Sequence, residues 1–155
     1  LKFTNTYKNV DLVISKALLE KLTQYGIEQF PNEFGGFLMG YYSTDFKTLT
    51  ITDTILPKVY QGTPYVFQRS IKGIQSLFQE FYKRKPSKYY VGEWHTHPNG
   101  PTHYSETDRQ AMINIAACDT VNITNPILLI ISMSQSNVNG FQFYLYENRE
   151  LFAFK

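Results

Sequence analysis

The stretch GEWHTHPNGPTHYSETD, residues 92–108, holds all three histidines of the chain together with the acids Glu93, Glu106 and Asp108. A strand running from Lys88 to Thr96 carries His95 into the stretch. Pro98 ends extended structure, and Asn99-Gly100-Pro101 turns the chain. Ser105 then starts a helix to about Cys118. Two histidines at spacing two on a strand share one face, so their imidazoles can converge on one ion. On the helix, Ala111, Met112, Ile115 and Ala116 form the apolar face. Asp108 sits one turn earlier and points toward the core, where a carboxylate needs a strong partner. Two histidines and one aspartate leave a fourth tetrahedral position open, which marks a catalytic rather than a structural zinc. A second reading stands beside this one: Ser105-x-x-Asp108 is also a plain capping box.

Outward from this stretch, strands interleave with helices. Val10–Ile14 reads as a strand, followed by a helix capped by Ser15 and running to about Phe30, with Leu18, Leu22, Tyr25 and Ile27 on its apolar face. Phe37–Tyr42 and Leu49–Ile55 read as paired strands, and Pro64–Gln68 as a weaker one. Ser70 is placed as the cap of a second helix to about Arg84, with Ile71, Ile74, Phe78 and Phe81 at helical spacing. Ile127–Met133 reads as a strand buried on both faces. Phe141–Tyr146 alternates like a half-buried strand, and Leu151–Phe154 is the last. The expected fold class is α/β, a mixed sheet flanked by helices.

The chain has 155 residues, which fits one domain spanning 1–155. Hydrophobic residues make up 43% and charged residues 18%, the composition of a folded protein. A formal net charge of +2 is too small to argue for nucleic acid or an anionic membrane. The one basic cluster, Lys83-Arg84-Lys85 with Lys88, reads as the charged last turn of a helix. The apolar run Ile127–Ile131 is too short to span a bilayer, and no signal-like N-terminus is visible. A single cysteine, Cys118, makes no internal disulfide, so a reducing, cytoplasmic setting is expected. It lies in a small-apolar run and reads as core. No H-E-x-x-H, deaminase, nucleophile-elbow, P-loop or dinucleotide signature is present.

His95-Thr-His97, seven residues, then Ser105-x-x-Asp108 resembles the JAMM motif of the JAB/MPN metalloproteases. That family also has an upstream glutamate opening a strand that reads E-x-x-G-x-L-x-G. Here the segment is Glu33-Phe-Gly-Gly36-Phe-Leu38-Met-Gly40. The resemblance implies a mixed, curved sheet with helices packed around it. It implies one catalytic Zn²⁺ per chain held by His95, His97 and Asp108, with a water in the fourth position. It implies that Glu33 accepts a proton from that water and passes it to the leaving amine, and that Ser105 hydrogen-bonds the oxyanion. His103, in the loop, is not part of the motif. Glu93 shares the strand face of the two histidines and competes with Glu33 for the role of base. Its place about 7 Å along the strand suits it better to orienting a ligand or meeting the substrate. Glu106 reads as solvated.

The flanking residues, YYVGEWHTHPNGPTHYSETD and NPILLIIS, are most similar to the JAB peptidases of antiphage CBASS operons. That implies a zinc isopeptidase cleaving after the C-terminal tail of a conjugated protein, either a cGAS-like nucleotidyltransferase or a ubiquitin-like modifier. The runner-up is a JAB peptidase trimming a ubiquitin-like sulfur carrier. A non-catalytic MPN scaffold stands last, because such members lack ligands and all five motif residues are present here.

Overall fold

A computed structural model describes residues 1–155. Ten strands and three helices alternate along it. They are β1 (Lys2–Asn5), β2 (Val10–Ile14), α1 (Lys16–Gln29), β3 (Gly35–Tyr42), β4 (Thr48–Ile55), β5 (Val59–Gly62) and β6 (Phe67–Ser70). They continue with α2 (Gln75–Lys83), β7 (Tyr89–Pro98), α3 (Glu106–Ala117), β8 (Ile127–Ser134), β9 (Asn137–Glu147) and β10 (Glu150–Ala153). Eight strands form one sheet in the order β1-β2-β4-β3-β7-β8-β9-β10, and β5 pairs with β6 in a small separate sheet. The large sheet is mixed: β2/β4 and β7/β8 run parallel and the other neighbours antiparallel. It curls until its ends meet, where Thr4 and Lys155 exchange backbone hydrogen bonds of 2.7 and 2.9 Å. The expected mixed, curved sheet with flanking helices is what the chain forms.

Strand alternation sorts the core into three parts. Leu38, Val91, Trp94, Leu129, Ile131 and Met133 point to one face, where α1 lays Leu18, Leu19 and Leu22 against them. Ser15 caps α1 by accepting from the Leu18 N–H at 3.0 Å. Each such aliphatic side chain, fully buried, contributes roughly 1.5–3 kcal/mol. On the opposite face, α2 covers β3 and β4 through Ile74, Phe81, Phe37, Met39 and Ile55. On that same face α3 covers β8 and β9 through Met112, Ile113, Leu128, Ile130 and Tyr144. β8 therefore buries both its faces, as its unbroken apolar run predicts. α2 and α3 stand apart, and the face of β7 between them, carrying Glu93 and His95, opens into a cleft of about 1130 Å³.

Several local expectations are corrected. α2 begins at Gln75, not after Ser70; Ser70 ends β6, and its hydroxyl accepts from the Lys72 N–H at 3.1 Å. Gly73, at φ +85°, turns the chain before the helix starts. The weak strand placed at Pro64–Gln68 lies at Phe67–Ser70, opposite β5, which was not foreseen. Cys118 is not core: it is the C-cap of α3, half-buried on the cleft wall, with Sγ 3.1 Å from the Thr120 hydroxyl. Ile113, rather than Ala111, joins Met112 in the buried face of α3.

Candidate metal centre

β7 brings His95 and His97 to the cleft face while Trp94 and Thr96 point into the core on the other side. The turn after Pro98 is tied down at several points. Asn99 takes φ +57°, and its N–H donates to the Met133 carbonyl. The Ser132 hydroxyl donates to the Gly100 carbonyl, and the Tyr144 hydroxyl to the Thr102 carbonyl at 2.8 Å. This fixes where α3 begins. There the Ser105 Oγ accepts from the Asp108 N–H at 3.0 Å, and Asp108 Oδ2 accepts from the Ser105 N–H at 2.8 Å. The capping box is formed. The same Asp108 carboxylate also faces both imidazoles, so the formed cap leaves this side chain placed to serve as a ligand as well.

His95 Nε2, His97 Nε2 and Asp108 make a triangle: Nε2 to Nε2 3.1 Å, His95 Nε2 to Oδ1 3.1 Å, His97 Nε2 to Oδ2 3.1 Å. Ligands about 2.0–2.1 Å from a tetrahedral zinc lie about 3.3 Å apart, close to these edges. Charge points the same way. His97 Nδ1 donates to the Pro101 carbonyl at 2.8 Å, so the neutral ring presents the lone pair of Nε2 to the triangle. A second imidazole nitrogen and a carboxylate oxygen face that lone pair at contact distance. A cation between them resolves the repulsion, and this donor set suits zinc. Without an ion, a proton must serve. Burial pulls His97 down, but the hydrogen bonds to Asp108 and the Pro101 carbonyl outweigh it and raise its pKa. Burial likewise opposes ionisation of Asp108, yet hydrogen bonds from both histidines and the Ser105 N–H hold its carboxyl well below the usual range.

Glu33 sits in the irregular segment just before β3. Phe34 clamps it to β7: the Phe34 N–H donates to Thr96 Oγ1 at 3.0 Å, and the Thr96 N–H to the Phe34 carbonyl at 2.9 Å. Gly35 pairs with His95, and a Cβ there would lie 2.0 Å from the Trp94 carbonyl oxygen, so only glycine allows this approach. On the other side the Glu33 N–H donates to the Thr63 carbonyl at 2.8 Å. Glu33 is 8% exposed and lines the cleft with His95, Ser105 and Asp108. Burial raises its pKa, partly offset by the two imidazoles nearby.

Glu93 occupies the expected strand face but orients no histidine. Its carboxylate accepts from Arg69 Nε of β6, and the orienting contact for His97 comes from Pro101 instead. His103 lies away from the triangle, stacked on Tyr104 with Nδ1 on the Tyr104 carbonyl. Glu106 is exposed beside Arg109, as expected. Arg69 and the Thr96 hydroxyl were missed by sequence reasoning. Arg69 is one of 15 basic residues with no pattern around it, and a core threonine carries no signal.

The family of prokaryotic homologs of the JAB domain matches residues 15–145, which contain both β3 with Glu33 ahead of it and the whole His-His-Asp triangle. The chain belongs to this JAB family. A relative from Enterobacter hormaechei named CD-NTase/cGAS isopeptidase is 34% identical over 121 residues, 77% of this chain and 66% of that protein. The matched part is thus just under two thirds of the relative's length. Two solution structures share the JAB fold seen here. One, from Desulfitobacterium hafniense, has a TM-score of 0.65 at 20% identity and covers 92% of this chain and 88% of its own. The other, from Salinibacter ruber, has a TM-score of 0.58 at 16% identity and covers 90% of this chain and 85% of its own. No helix of the chain is long and apolar enough to cross a membrane.

Proposed function

We propose that this JAB protein is a zinc-dependent isopeptidase that cleaves after the C-terminal tail of a conjugated protein in bacterial antiphage defence. The conjugated protein is a cGAS-like nucleotidyltransferase or a ubiquitin-like modifier. The observation that carries the reading is a buried, upward-shifted Glu33 carboxyl in the same cleft as a His-His-Asp triangle of metal-binding size. The name of the Enterobacter relative, CD-NTase/cGAS isopeptidase, supports the choice of target. On this reading residues 1–155 act as one catalytic domain in the cytoplasm.

His95, His97 and Asp108 would hold the zinc. When bound, it supplies Lewis acidity and makes hydroxide available near neutral pH. Glu33 takes the proton of the attacking water. Its raised pKa makes it a better base than an exposed glutamate and lets it return that proton to the departing nitrogen. Capping uses a lone pair of the Ser105 oxygen, not its proton. The Ser105 O–H therefore stays free to donate to the developing oxyanion while the cap is in place. The cleft walls, Phe37, Phe78, Met112 and Leu128 among them, accept an extended peptide and exclude water.

The test is incubation of the metal-loaded chain with a nucleotidyltransferase fused to a reporter, followed by intact mass measurement. Cleavage at the fusion junction that stops with a chelator and returns with zinc is expected. A junction left whole by metal-loaded protein, or cut equally well after metal removal, would overturn the reading.

A further inference from the structure

Hairpin β5–β6 has no ladder to the main sheet. A few contacts attach it. The Thr63 carbonyl receives the Glu33 N–H at 2.8 Å. Tyr60 and Phe67 pack edge-on against Phe34, with ring centroids 5.1 and 5.8 Å away. Arg69 Nε donates to Glu93 Oε1, and its guanidinium lies 4.9 Å from the Phe37 ring centroid. The ion pair is shielded, with side-chain exposures of 28% and 13%. Desolvating two charges is costly, and packed apolar side chains would hold a hairpin at least as well. What an arginine–carboxylate pair adds is a fixed direction and register.

That register bears directly on Glu33. Its segment belongs to neither helix nor strand and is held between β7 on one side and the hairpin on the other. A Cβ at Gly62 would lie 2.3 Å from the Glu33 carbonyl oxygen, so the hairpin backbone rests on the Glu33 backbone itself. A shift of the hairpin moves Glu33. Glu93 is also two residues from His95 on the same strand face, so the pair fixes the hairpin relative to the strand that carries the histidines.

We propose that Arg69 and Glu93 are positioning residues whose ion pair sets the hairpin on β7 and, through Thr63, sets Glu33 over the metal triangle. This rests on the reading of Glu33 as the proton carrier. Neither residue touches the reacting atoms. A group that moves a proton must sit within hydrogen-bond reach of it, and a displacement near 1 Å is expensive in rate.

The test uses metal-loaded full chains carrying Arg69→Met, Arg69→Lys, Glu93→Gln and the Arg69→Met/Glu93→Gln pair. Arg69→Met keeps the packing on Phe37 and removes the charge. Either single change should lower kcat on the tail fusion about tenfold with KM little changed. Arg69→Lys should recover part of the loss. The double variant should be no worse than the worse single, because the two act as a unit. In a Glu33→Gln background, Arg69→Met should cost nothing further. Hydrogen exchange read on residues 30–34 and 59–70 should quicken in Arg69→Met, with or without metal, and it needs no activity. Near-UV circular dichroism separates this from misfolding, and the lysine variant keeps the test open if the methionine variant does not fold. A raised KM at unchanged kcat would mean Arg69 reads the substrate instead. Multiplying losses, or unchanged exchange, would equally overturn the proposal. A wild-type chain that cuts nothing would sink the peptidase reading, while exchange would still report whether the pair holds residues 30–34.

Discussion

At residue scale the cleft separates side chains of similar type by what surrounds them. His95 and His97 meet Asp108 at 3.1 Å, whereas His103 stacks on a tyrosine in the loop. Replacing His95 or His97 by alanine should abolish stoichiometric divalent metal, while His103→Ala should retain it; elemental analysis of the three purified variants decides. Full occupancy without either strand histidine would sink the ligand set. The glutamates divide likewise: Glu33 is buried without a cationic side-chain partner, and Glu93 is neutralised by Arg69. Because burial raises the Glu33 pKa above 4.5, the fold favours its protonated form. That contribution is complete below the unfolded pKa and is lost as pH rises through the folded one. Glu33→Gln should therefore melt higher than wild type at pH 8 in metal-free protein, and no higher at pH 4. It should also bind metal and lose nearly all turnover. Equal melting differences at both pH values would show that Glu33 is not held against its charge.

At element scale, α3 is where stability and the proposed chemistry would draw on the same atoms. Ser105→Ala removes the hydroxyl that caps the helix and should cost about 1 kcal/mol of stability. If the same hydroxyl donates to an oxyanion, kcat should fall by about 10²-fold or more with metal retained. A drop in thermal stability with kcat within a few-fold would leave the cap as its whole role. This helix was readable in the sequence because a capping box, an apolar face and an apolar strand after it all agree. β8 was readable because an unbroken Ile-Leu run has few places to go but the middle of a sheet. Hairpin β5–β6 was not, since VYQG is largely exposed, FQRS is mostly half-buried, and neither shows a clear apolar alternation. The start of α2 was misplaced because Ser70 offers cap chemistry that the turn at Gly73 overrides. β1 is four residues long, and its place is decided by pairing with β2 and by contact with the far end of the chain.

At the scale of the whole molecule, the site is assembled from segments far apart in sequence. Glu33 precedes β3, the histidines sit on β7, Asp108 on α3, and Arg69 on a separate hairpin. The motif spacing made the first three legible, while the hairpin's part depends on tertiary packing alone. An ion bound across β7 and α3 would stabilise only the folded chain. At a hundredfold excess over Kd it would add about 2.7 kcal/mol, which in a chain of this size raises Tm by roughly 5–10 °C. Chelation should remove that increment. The increment should fade as pH falls, starting above the ordinary imidazole value of 6.5, because the raised pKa of His97 lets protons compete early. Asp108 stays ionised throughout that range and should not contribute. Calorimetry with and without zinc from pH 8 to pH 5.5 measures it, and a pH-independent increment would contradict coordination by the histidines.

The curl of the sheet has one more effect. An open eight-stranded sheet would present two unpaired margins, each a template onto which another polypeptide could crystallise as an added strand. Here the backbone bonds between Thr4 and Lys155, with the Asn5 side chain reaching the Phe152 carbonyl at 3.0 Å, seal much of one margin against the other. The exposed margin that remains beside the cleft belongs to β5–β6. If the cleft receives an extended polypeptide tail, as proposed above, the one sticky edge left open lies next to the place where that tail would arrive.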